Sequence, residues 1–230
     1  SISSAVRPHW RARLAGFAAV IFDMDGVLVD GEPLHFATVN ELLGREGKSI
    51  SLEQYKPYMG TKTGWADMIE DFQLSQPREH YSPIYRDLVL ARYQRDAVAL
   101  PGALSVVTAL RMSGQCVALA SSSIRPWVEA CLQKIGLAYA FETLITGSEV
   151  EHGKPDPEIY LLAAERLGVD PAACLAFEDA PAGIESAKRA GMTVWAVRTE
   201  YTRGLALPGP HREFESLADV DITDIVGVAA

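Results

Sequence analysis

Asp23 and Asp25, separated by a single methionine, stand directly after an apolar run at 18–22. Side chains alternate along an extended segment, so both carboxylates project to the same side. Anions this close call for a cation, a shared proton or separate roles. A solvated turn at a strand end would carry the same residues. Ser121-Ser122-Ser123 follows a second apolar run and precedes a helical segment. Hydroxyls and free N–H groups there make an anion site, although simple N-capping also fits, and Ser123 is the expected cap. Lys154 stands alone in the turn His152-Gly153-Lys154-Pro155-Asp156-Pro157, where a solvated loop lysine is the plainer reading. Glu178 and Asp179 close a further apolar run as a second acidic pair. Oxygen ligands with open positions suit Mg²⁺. An aspartate nucleophile beside a second acid is one route to phosphoryl transfer.

The elements that must position these groups are legible as short runs. The segments 18–22, 116–120, 174–177 and 193–197 are apolar on both faces and too short for helices, and 143–146 is a candidate fifth. That is how strands of a parallel sheet covered on both sides read. Helical spacing fills 103–112, 124–135, 156–167 and 181–190, with prolines near two starts and glycines just past the ends. Strand alternating with helix predicts an α/β fold, a doubly wound parallel sheet whose ligands sit beyond the carboxyl ends of the strands. From 32 to 97 the periodicity is helical throughout, too long for a simple connection. The chain therefore divides into a core domain, 1–31 and 98–230, and an inserted helical cap, 32–97, placed to act as a lid. Trp65, Phe72, Tyr85 and Tyr93 recur at helical spacing and are assigned to the cap's core.

Composition sets the outer limits. The chain has 230 residues, 48% hydrophobic and 22% charged, which excludes disordered, fibrous and disulfide-stapled classes. The net charge of −9 argues against nucleic acid as a partner, so an anionic substrate must be held by a metal ion or a few placed lysines. Cys116, Cys131 and Cys174 form no CxxC pair and read as buried thiols of a cytoplasmic protein. Arginines 7, 11 and 13 precede an apolar stretch, but it stops at Asp23 without a cleavage pattern, so it is not read as a secretory signal. No apolar run approaches the length of a membrane span.

The segments DMDGVLVD, ALASSS, GKPDPEIY and FEDAPAGIESAKRAGM, in this order and covering nearly the whole chain, resemble the haloacid dehalogenase superfamily. The likeness is to its small-cap phosphatase branch, near the β-phosphoglucomutase-like and phosphoglycolate phosphatase-like enzymes. The resemblance implies a Mg²⁺-dependent hydrolase of small phosphate esters, working as a monomer or weak dimer. Asp23 would be the nucleophile that forms an aspartyl-phosphate, and Asp25 the acid–base, with its backbone carbonyl on Mg²⁺. Ser121 would bind phosphoryl oxygens, Lys154 would neutralise Asp23 and the phosphate, and Asp179, with Glu178 beside it, would complete the metal site. Gly26, His35, Lys62 and Ser122 complete the implied substrate-binding set.

Two departures bear on the reaction. The cap often opens D-S/T-E-P-x-H in this family, whereas this chain has Asp30-Gly31-Glu32-Pro33-Leu34-His35 and so lacks the hydroxyl at 31. His35 then matches a histidine that helps position the acid–base aspartate in the mutases, and a partly buried helix histidine is the alternative. In the loop 60–63, where mutases carry an arginine for a second phosphate, this chain offers Lys62. Together these favour a phosphatase of sugar or polyol phosphates over a hexose-phosphate mutase. A noncatalytic binding protein on the same fold is the third reading, and the intact acidic set disfavours it.

Overall fold

The structure, a computed structural model, describes residues 16–58 and 64–227. Lys62 lies outside the described residues, as does the side chain of Trp65. The five apolar runs form five strands: β1 (Ala19–Phe22), β2 (Cys116–Ser121), β3 (Thr143–Thr146), β4 (Cys174–Glu178) and β5 (Thr193–Val197). A sixth strand, β6 (Arg212–Phe214), was not expected. It is short, largely exposed and charged, and the Arg212 guanidinium stacks 4.6 Å over the Trp195 ring. The sheet order is β3-β2-β1-β4-β5-β6, and every pairing is parallel. Such a sheet must be apolar on both faces. In β1, Val20 and Phe22 enter one core and Ala19 and Ile21 the other, all fully buried. Each large side chain among them contributes roughly 1.5–3 kcal/mol.

Helices cover both faces. α1 (Glu32–Gly44), α2 (Leu52–Tyr55), α3 (Gly64–Asp71) and α4 (Arg78–Asp96) lie between β1 and β2 in the chain. α5 (Ala103–Met112) and α6 (Arg125–Ile135) supply Val106, Leu110, Val128 and Leu132 to the first core. α7 (Glu158–Leu167) and α8 (Pro181–Arg189) supply Ile159, Tyr160, Ile184 and Ala187 to the second, and a short α9 (Thr223–Val226) closes the described chain. The doubly wound arrangement is as expected.

Two helix starts differ from the sequence reading. α7 begins at Glu158 rather than Asp156, because the Asp156 side chain accepts from the Glu158 amide at 2.9 Å and makes its own turn first. α6 begins after Ile124, which caps it with no side-chain bond. Ser123 is therefore not the cap, and its hydroxyl is used elsewhere. The helical stretch leaves and returns at one place beyond β1. Asp30 N donates to Val98 O at 3.2 Å and Leu100 N to Leu28 O at 2.9 Å, a short antiparallel contact at its base.

Candidate active site

Beyond Phe22 the chain turns sharply while keeping its alternation, so Met24 drops into the core and Asp23 and Asp25 line a cavity of about 970 Å³. Gly26 makes this turn possible for two reasons. Its φ of +83° suits glycine, and a Cβ there would overlap the Asp179 carboxylate. Gly26 lies beneath the cavity against Asp179 and is not part of its lining. The lining includes Asp23, Asp25, Ser121, Ser122, Lys154, Glu178 and Asp179 from the strand ends, and Glu32, His35, Tyr55 and Tyr85 from the helical stretch.

Lys154 joins the strand ends. Its ammonium donates to Asp23 Oδ1 at 2.7 Å, to Glu178 Oε1 at 2.6 Å and to the Ala120 carbonyl at 3.1 Å. An ammonium has three donors, and all three are spent. This is no solvated loop lysine: its side chain is 3% exposed. The loop that aims it is pinned by Glu158, whose carboxylate accepts the Glu151 and His152 amides at 2.8 and 2.7 Å. Glu178 also accepts from the Tyr160 hydroxyl at 2.5 Å. Tyr160 closes the GKPDPEIY segment, but its apolar position on α7 does not mark its hydroxyl as a donor to a carboxylate.

Asp23, Glu178 and Asp179 are all buried, and one oxygen of each lies within 4.8 Å of the others. Burial, then Glu178, pushes the Asp23 carboxyl up to about 8, and Lys154 opposes the rise. Asp179 is pushed well above the carboxylate range by burial first and Asp23 next. Burial works against the Lys154 charge, but Asp23 and Glu178 outweigh it and hold the ammonium above its ordinary value. Three buried carboxylates thus share one cation. That imbalance, with an all-oxygen donor set, fits a divalent ion such as Mg²⁺.

Asp25 is held differently. The Tyr93 hydroxyl donates to its Oδ1 at 2.5 Å and Ser123 Oγ to its Oδ2 at 3.1 Å. His35 does not bond Asp25 directly. Its Nε2 is 2.9 Å from the Tyr93 hydroxyl and its Nδ1 is 2.8 Å from that of Tyr85. Tyr85 and Tyr93 are buried, as expected of core residues, yet their hydroxyls serve this polar chain. Ser121, 1% exposed, accepts from the Ser123 amide at 3.1 Å. Glu32 is buried too, with the Tyr55 hydroxyl donating to its Oε2 at 2.9 Å. Burial, then Asp25, pushes Glu32 up to about 8. The sequence motif contains Glu32, but nothing in its spacing marks it as buried beside the cavity.

A family model described as haloacid dehalogenase-like hydrolase matches residues 17–191. The chain is 34% identical over 195 residues to a phosphorylated carbohydrates phosphatase of Thermotoga maritima, covering 82% of this chain and 89% of that one. It is 30% identical to hexitol phosphatase B of Escherichia coli, covering 92% and 94% respectively. A crystal structure of CbbY from Rhodobacter sphaeroides in complex with phosphate superposes with a TM-score of 0.80 at 26% identity, over 88% of this chain and 96% of that one. No helix among the described residues is long and apolar enough to cross a membrane.

Proposed function

Since the chain belongs to the haloacid dehalogenase-like hydrolases, we propose that it hydrolyses monoesters of small polyhydroxy metabolites, sugar or polyol phosphates, through a phosphorylated Asp23. The observation that carries this reading is the Lys154 ammonium held between Asp23 and Glu178 at the floor of the cavity. The substrate class is supported by relatives whose names specify phosphorylated carbohydrates and hexitols.

In this reading Asp23 attacks phosphorus through the oxygen that Lys154 leaves free. The bond from phosphorus to the leaving oxygen breaks as Asp25 gives that oxygen its proton. Water then attacks the same phosphorus, Asp25 takes a proton from it, and the Asp23–phosphorus bond breaks. Lys154, fixed by three acceptors, offsets charge without moving. Ser121 and Ser122, just ahead of α6, donate to phosphoryl oxygens.

Asp23, Asp179 and the Asp25 carbonyl would hold Mg²⁺. Glu178 would contribute through Oε2 or a water, because its Oε1 is spent on Lys154 and Tyr160. When bound, the ion supplies the positive charge that keeps both aspartates ionised and offsets charge building on the phosphoryl group. Residues 32–97 would form the cap over a core of 1–31 and 98–230, and His35 of that segment lines the cavity. The unpaired, buried Cys131 and Cys174 suit a reducing, cytoplasmic setting.

The test is phosphate release from a panel of sugar, polyol, nucleotide and short-chain acid phosphates, with and without Mg²⁺. Release from sugar or polyol phosphates only when Mg²⁺ is present, with no bisphosphate activator, is the expected result. Isomerisation of a hexose phosphate that requires a bisphosphate, with little free phosphate, would instead make the enzyme a mutase.

A further inference from the structure

We propose that Tyr93 is the positioning residue for Asp25, and that the glycine at 31 is there to admit their contact. The inference rests on the acid–base reading of Asp25 given above. Tyr93 is fully buried in α4 and delivers its hydroxyl to Asp25 Oδ1. Ser123, from the β2–α6 turn, takes Oδ2. A carboxylate offers about four acceptor sites. Two are fixed by the protein from two different elements, and Asp25 still lines the cavity with the rest.

Donor counting gives the chain of bonds behind Tyr93 a direction. A phenol has one proton, and that of Tyr93 is spent on Asp25. The contact with His35 must then run from Nε2–H to the Tyr93 oxygen. In a neutral imidazole the other nitrogen is an acceptor, so the Tyr85 hydroxyl donates to Nδ1. Burial disfavours the charged ring, so one nitrogen donates and the other accepts. Trp127 of α6 packs against all three rings, with centroids 5.4 Å from His35, 5.8 Å from Tyr85 and 6.4 Å from Tyr93. The Tyr93 hydroxyl therefore has little freedom to follow Asp25 elsewhere.

Gly31 gives the independent argument. Its φ of −86° and ψ of −28° are open to any residue, so the backbone does not require glycine. Space does. A Cβ at 31 would overlap Asp25 Oδ1 and lie 3.0 Å from the Tyr93 hydroxyl. The side chain missing at 31 and the phenol arriving from α4 converge on one carboxylate oxygen. His35 thus acts on Asp25 at one remove, through Tyr93.

The experiment compares two leaving groups. One is the sugar phosphate turned over fastest in the release screen, whose alkoxide needs a proton, and the other is 4-nitrophenyl phosphate, whose phenolate hardly does. Tyr93→Phe keeps the ring and removes the hydroxyl. It should lower kcat/KM about tenfold on the sugar phosphate and less than about twofold on the aryl ester, with the melting temperature little changed. In a Gly31→Ala background, where the contact is already broken, the same substitution should cost less than about twofold on either substrate. Equal losses on both substrates, no loss on the sugar phosphate, or a full tenfold loss persisting in the Gly31→Ala background would each overturn the proposal. Asp25→Asn is the reference. If it shows the leaving-group split and Tyr93→Phe does not, only the positioning role falls. If Asp25→Asn shows no split, the acid–base reading fails and takes this inference with it.

Discussion

On the floor of the cavity, Asp23, Glu178 and Asp179 crowd around the single ammonium of Lys154. On the opposite side, Glu32 is buried against the Tyr55 phenol, and His35 lies between two more phenols. The floor has more charge than it can neutralise from its own residues. Around Glu32 and His35 the helical side is held by neutral hydrogen bonds, with Glu32 keeping its proton, while Arg78 and Arg86 of α4 line the cavity beside them. A floor of this kind is completed by a second cation and a roof of this kind by protons. The first should answer to metal and the second to pH.

The largest effect should come from the floor. Asp23→Asn keeps shape and removes the attacking charge, so turnover should fall at least ~10³-fold while the far-ultraviolet circular dichroism is unchanged. Retention of more than a few per cent of activity would exclude Asp23 as nucleophile. Lys154→Met tests the ion pairing itself. Breaking a buried pair by removing one partner costs about 3–5 kcal/mol, and for a chain this size each kcal/mol shifts the melting point by about 2–4 °C. A drop of about 10 °C in thermal unfolding is expected from these two figures. A variant within about 2 °C of the parent, less than 1 kcal/mol would produce, would mean that the floor is not organised around Lys154.

Metal separates floor from roof directly. A ligand at 100 times its Kd stabilises by about 2.7 kcal/mol. Mg²⁺ at saturating concentration should therefore raise the melting temperature by several degrees. Asp179→Asn should abolish that rise, and Glu32→Gln should leave it intact. If Glu32→Gln removed the rise as completely as Asp179→Asn, the division between the two regions would be wrong.

The same division explains what the sequence could convey. The floor groups stand at the ends of apolar runs, so strand periodicity alone places Asp23, Asp25, Ser121, Glu178 and Asp179 on one edge. Lys154 is visible there only as a lysine in a stiff turn. Its burial follows from Glu158 tying that turn down, a contact the local pattern does not announce. The roof is illegible for a different reason. A tyrosine at helical spacing looks the same whether its hydroxyl meets water or a carboxylate on another element. Tyr85 and Tyr93 are thus readable as core and unreadable as donors, and Tyr160 passes for one more apolar position. Ser123 shows the complementary error. Local rules make it a helix cap, while its hydroxyl is used on Asp25, 98 positions earlier in the chain. The β6 strand escapes because an edge strand of three residues with two charges carries no apolar signal.

The effect that isolates the roof is a change in pH dependence and touches no catalytic group. Glu32 is raised from 4.5 to about 8 by burial first and by Asp25 next, with the Tyr55 bond pulling the other way. Between those two pH values the folded protein keeps a proton that the unfolded chain has released. By linkage, the stability from that proton is fully present below about 4.5 and is lost as pH rises through about 8. A glutamine at this position has no such proton to lose, and its amide oxygen can still accept from Tyr55. The melting temperature of Glu32→Gln minus that of the parent should therefore grow steadily between about pH 5 and about pH 8.5. Floor carboxylates titrate in the same window but are common to both proteins, so the difference removes their direct contribution. A difference that stayed flat across this range would show that Glu32 is ionised in the folded protein at neutral pH. The Glu32–Tyr55 pair would then be a charged site rather than a neutral one.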